Sequence, residues 1–138
     1  MAQKIMLDTN FLVAPFQLSI DLFEEINRLY PVNQVYTLED ALQEAKSIEE
    51  GRYKALVQKL VETQDITVLE TEDEESSSSR TAEGEGEVDD LLVRLSDEFV
   101  VGTNDRELRE RLVENGKEVV FIRSGDHLEA LNQSSVGF

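Results

Sequence analysis

Short runs of strand-forming residues alternate along this chain with stretches of helical periodicity, and that alternation constrains the fold more than any other feature. The strand-like runs fall at 4–7, 32–36, 66–69, 99–103 and 119–122. Between them apolar residues recur every three or four positions, as in Ile20, Phe23, Ile26 and Tyr30. Helices are expected over 19–30, 38–49, 52–63, 88–97 and 105–114. Ser19 reads as the N-cap of the first, and Thr37 with Asp40 as a capping box for the second. Pro31, Gly51 and Asn115-Gly116 act as terminators. Residues 124–138 are expected to hold one or two helical turns at most, with a flexible tail from about 131. Strands joined through helices pair in parallel and are covered on both faces. The expected fold is therefore α/β, a three-layer α/β/α sandwich around a parallel sheet of about five strands. Its 138 residues suit one domain, 1–138, and no internal repeat occurs.

Composition removes several classes of function. With no cysteine, disulfides and thiolate metal sites are excluded. No apolar run reaches the roughly 18 residues of a membrane span, and no secretion signal is visible, so a cytoplasmic protein is expected. The balance of 30 acidic against 13 basic residues gives a net charge of −17. Residues 70–90 hold ten acids and one base, a net −9 that leaves −8 for the rest. The surface is thus acidic even apart from that segment, as in proteins adapted to a halophilic, high-salt cytoplasm; an ordinary domain with one acidic loop is the competing explanation. Residues 71–87, rich in Glu, Ser and Gly, cannot bury apolar surface and read as a mobile loop. Net negative charge opposes nucleic-acid binding at low salt. Near 1 M salt, where the Debye length is about 3 Å, that opposition is largely screened.

Four acids stand out by position. Asp8 ends the run Ile5-Met6-Leu7, and Asp105 follows 99–103; in doubly wound sheets, ligands sit just beyond such strand ends. Taken singly, Asp8 reads better as a turn former and Asp105 as an N-cap. On a helix at 38–49, Glu44 lies on the shoulder of the apolar stripe, where it is either a solvated charge or a residue reaching into a cleft. On a helix at 88–97, Asp89 lies on the shoulder while Asp90 points nearly opposite; a helix-start acid favoured by the macrodipole is the plainer account of Asp89. Two bare carboxylates 4 Å apart repel by about 4 kcal/mol at an effective dielectric near 20. Convergence of four such groups makes sense only around a cation or a shared proton, and hard oxygen donors in that number suit Mg2+ or Mn2+. Such an ion acidifies a bound water and stabilises charge on phosphoryl oxygens.

The segments Ile5-Met6-Leu7-Asp8-Thr9-Asn10, Glu44-Ala45, Val88-Asp89-Asp90-Leu91-Leu92 and Val101-Gly102-Thr103-Asn104-Asp105 resemble the PIN-domain nucleases over residues 4–123. The nearest kinds are archaeal PIN proteins related to ribosomal-RNA-processing endonucleases, with VapC-type toxins a step further away. The resemblance implies a PIN-like sheet in strand order 3-2-1-4-5 and a metal-dependent endoribonuclease. Asp8, Glu44, Asp89 and Asp105 would be the catalytic metal ligands, with Asn10 orienting a carboxylate or water and Thr103 and Asn104 in support. Asp89 is preferred to Asp90 because the family acid stands seven residues before a small residue, here Ser96. Pairing of two copies is a further implication. Two departures bear on RNA handling: Glu44-Ala45 replaces the common Glu-Leu, and the acidic loop is long.

Residues able to touch RNA phosphates are Lys46, Arg52 and Lys54 on one side and Arg106, Arg109 and Arg123 on another; each is more simply a solvated helix charge or a member of an i,i+4 pair. The single histidine, His127, reads as a surface residue, and no nucleotide-cradling glycine motif occurs. Two rivals to the RNA-cutting enzyme remain. One is a PIN-fold interaction protein with weak or no catalysis and a protein partner. The other is a toxin held by an antitoxin.

Overall fold

The computed structural model describes residues 2–70 and 98–132. Asp89, Asp90, all of the acidic loop at 71–87, the helix expected at 88–97 and residues 133–138 of the tail lie outside the described residues. Strands β1 (Gln3–Leu7), β2 (Asn33–Leu38), β3 (Thr67–Leu69), β4 (Val100–Gly102), β5 (Val119–Arg123) and β6 (His127–Leu131) form one sheet in the order β3-β2-β1-β4-β5-β6. The first five are parallel and β6 is antiparallel to β5. Helices α1 (Thr9–Gln17), α2 (Leu22–Leu29), α3 (Glu39–Ser47), α4 (Lys54–Thr63) and α5 (Arg106–Glu114) flank it. Among the described residues no helix is long and apolar enough to cross a membrane.

Strand β1 is the centre because it is buried on both faces. Ile5 and Leu7 pack with Phe11, Leu12, Ile26 and Val57, whereas Met6 packs with Val101, Leu108, Leu112 and Val119. Each such side chain contributes about 1.5–3 kcal/mol by leaving water. Gly102 makes a close approach possible: a Cβ there would lie 2.9 Å from the Phe11 ring and 3.2 Å from Leu7. Phe11 therefore seats α1 directly on β4. The strand order reverses at β1, between β2 and β4, which opens a crevice at the carboxyl ends.

Four local expectations are corrected. Residues 127–131 form β6 rather than helical turns, because Ser124 (φ 59°) and Gly125 (φ 74°) adopt the paired left-handed geometry of a tight hairpin. A helix the periodicity does not reveal occupies Thr9–Gln17, despite Pro15 within it. Its successor begins at Leu22, capped by Asp21 rather than Ser19. Thr37 caps nothing: its hydroxyl donates to the Leu7 carbonyl at 2.9 Å and ties β2 to β1, while α3 starts after Leu38 without a side-chain cap.

Candidate active site

Asp8 follows β1 and serves as the N-cap of α1, its Oδ1 accepting the Phe11 N–H at 3.0 Å. Its other oxygen, Oδ2, accepts a hydrogen bond from the hydroxyl of Thr103. Asp8 is 8% exposed and Thr103 fully buried. Backbone bonds hold both in register: the Asp8 N–H donates to the Gly102 carbonyl and the Thr103 N–H to the Val120 carbonyl, each at 3.0 Å. The carboxylate plane is thus fixed by one main-chain and one side-chain donor.

The next residue, Thr9, donates from Oγ1 to Glu44 Oε1 at 3.1 Å, drawing the exposed α3 acid toward the crevice. Sequence periodicity gives no sign of this tether; the only signal is a hydroxyl adjoining Asp8. On the other side, the Asp105 N–H donates to Thr103 Oγ1 at 3.1 Å, and Asp105 Oδ1 caps α5 by accepting from the Leu108 N–H at 3.2 Å. One threonine hydroxyl therefore links Asp8 to the start of α5. Asn104 turns its carbonyl oxygen to the Ile122 N–H at 2.7 Å, and Asn10 is exposed at the crevice.

The structure thus joins Asp8, Glu44 and Asp105 through two threonines. Among the described residues, however, no three acidic or histidine side chains converge closely enough to hold an ion by themselves. The donor chemistry nonetheless fits a hard divalent cation. All three are carboxylates, and Asp8 is oriented by a hydroxyl and an amide in the manner of metal ligands steered by outer hydrogen bonds.

The basic residues fall into two groups. Around α3 and α4, Lys46 is half-buried, Lys54 exposed, and Arg52 pairs with Glu49 at 3.3 Å. Around α5 and β5, Arg106 pairs with Glu110 at 3.3 Å and Arg123 with Glu129 at 2.8 Å. The Arg109 and Arg123 guanidinium groups lie 4.5 and 5.2 Å from the centre of the Phe121 ring, bordering a groove of about 520 Å³. His127 is bonded to Asp126 and Glu129 at 2.8 and 3.2 Å.

A family profile described as a PIN-like domain matches residues 5–125. The structure is similar to that of the PIN domain endonuclease Utp24, with a TM-score of 0.68 over 92% of this chain and 90% of that one. Sequence identity between the two is 19%, so this likeness speaks to the fold. No curated protein matches the chain.

Proposed function

Because the chain belongs to the PIN-like domain family, we propose that it is a cytoplasmic, single-domain endoribonuclease, dependent on Mg2+ or Mn2+, acting in RNA processing. One observation carries the reading: Asp8, buried at the end of the central strand, is locked by Thr103 while its neighbour Thr9 is hydrogen-bonded to Glu44. Asp8, Glu44 and Asp105 hold the ion, and Asp89, assigned from sequence, completes the set. When bound, the ion supplies Lewis-acid stabilisation of phosphoryl oxygens and acidifies the attacking water.

The chain's own residues orient and bind. Thr103 and the Phe11 N–H keep Asp8 from rotating, so its oxygens are in position before RNA arrives. Burial of Asp8 at the end of β1 lowers the local dielectric and strengthens its charge interactions. Arg106, next to Asp105 and only weakly engaged by exposed Glu110, is placed to meet a phosphate next to the cut. With a net charge of −17, binding depends on such local contacts.

That charge also favours a second reading, in which the same fold docks a basic protein partner and cuts RNA weakly or not at all. Cleavage of a structured RNA, with and without Mn2+ and from low to molar salt, separates the two. The enzyme reading expects Mn2+-dependent products from the natural protein and loss of at least about a thousandfold in Asp8→Asn, whose amide still caps α1. Equal rates, or no cleavage by either protein at any salt, contradict it.

A further inference from the structure

Alongside the acids runs a groove of about 360 Å³ between α1, the end of β4 and β5. Asp105 stands in its wall, and among the described residues no lysine or arginine lines it. Instead it carries three carboxamides: Asn10, Gln17 and Asn104. The Asn104 carbonyl oxygen is taken by the Ile122 N–H at 2.7 Å, which leaves its NH2 group as the donor. Asn10 and Gln17 are exposed, and their side chains make no hydrogen bond among the described residues. The apolar part of the wall includes Ile122 and Leu18, the latter 39% exposed and one of few large apolar side chains at the surface among the described residues.

We infer that this groove is a nucleobase subsite, holding the base of a nucleotide adjacent to the phosphate that is cut. The inference rests on the ribonuclease reading. A phosphate is a poor occupant, because a phosphate site draws on cationic groups and Asp105 would repel it. A neutral heterocycle suits the lining. Carboxamides offer both donors and acceptors and match the edge of a base. The Leu18 and Ile122 side chains provide apolar contact for its flat face. Single-stranded RNA is recognised in this way, with bases splayed into protein pockets. The groove lies near the lower end of the roughly 300–1,000 Å³ typical of small-ligand sites, room for a nucleoside and not for a duplex. The phosphates then lie outside it, toward Arg106.

The test compares wild type and Gln17→Ala on a pool of short single-stranded RNAs with Mn2+, reading kcat, KM and the bases flanking each cut. Asp8→Asn protein is also photo-cross-linked to 4-thiouridine-containing RNA. Loss of one base-edge hydrogen bond is expected to raise KM about three- to tenfold with kcat within about twofold, and to flatten a base preference at one position beside the cut. Cross-links are expected at Gln17 or Leu18. Unchanged KM and cutting pattern, with cross-links elsewhere, overturn the subsite and leave the ribonuclease standing. No cutting by wild type together with no cross-link in Asp8→Asn overturns both.

Discussion

Thr103, wholly buried just past β4, donates its hydroxyl to the carboxylate of Asp8, 95 positions earlier in the chain. The same oxygen accepts the Asp105 N–H. Thr103→Val preserves the shape and removes both bonds, leaving buried polar groups with lost partners. Stability is expected to fall by about 1–3 kcal/mol. Mn2+ affinity is expected to drop about 10–100-fold, the usual consequence of losing a group that steers a ligand. Thr103→Ser restores most of the affinity. Urea denaturation and calorimetric Mn2+ titration measure the two effects, and unchanged affinity in Thr103→Val would remove the positioning role.

Thr9 acts on Glu44 across an exposed contact of 3.1 Å. Thr9→Val therefore separates function from stability: denaturation is expected to shift by less than about 0.5 kcal/mol, while Mn2+ affinity and RNA cleavage each fall about tenfold. Equal cleavage by the two proteins would mean that Glu44 needs no tether.

Gly102 faces the Phe11 ring at a distance no ordinary side chain tolerates. Gly102→Ala must push back Phe11, and with it the N-terminus of α1 that Asp8 caps. A loss of about 1–3 kcal/mol is expected from overpacking, together with reduced Mn2+ binding. Thermal melting with and without Mn2+ checks both.

The β5–β6 hairpin gives the stability a pH dependence. Hydrogen bonds to Asp126 and then Glu129 raise the His127 pKa above the ordinary value of about 6.5. That contribution is complete below about pH 6.5 and disappears as pH climbs through the raised folded value. On the acid side, Glu25 is lowered by its hydrogen bonds from Arg28 and the Leu128 N–H. Glu129 is lowered by His127 and Arg123. Their contribution is present above about pH 4.5 and is lost as pH falls through the lowered values. Melting temperatures between pH 5 and 9 are expected to decline toward the alkaline end in the natural protein and to do so less in His127→Gln. Identical profiles would show that the histidine contributes nothing.

Much of the layered fold was legible because burial on both faces writes itself as runs such as Ile5-Met6-Leu7 and Val119-Val120-Phe121-Ile122. Alternating strands and helices indicated a parallel sheet, whereas the order β3-β2-β1-β4-β5 came only from the resemblance to PIN-domain nucleases. What periodicity could not convey were features set by single contacts. Residues 9–17 form a helix although Pro15 removes a backbone donor, because Asp8 caps it and Phe11 finds the space over Gly102. Thr37 looked like a cap, yet tertiary demand for a bond to Leu7 prevailed. β6 depended on two left-handed turn residues, Ser124 and Gly125, flanking a weakly apolar run. At the site, strand ends located Asp8 and Asp105 and helix geometry marked Glu44. Tethers between residues 35 and 95 positions apart leave no trace in spacing.

The central claim is that Asp8, Glu44 and Asp105, with Asp89 from the undescribed stretch, share one cation. Its most direct test is a crystal of the natural protein soaked in MnCl2, with the metal located by anomalous scattering. The account predicts a manganese peak touching Asp8 and at least one more of these acids, and absent in Asp8→Asn. A peak elsewhere, or none at Mn2+ concentrations that support cleavage, would contradict it.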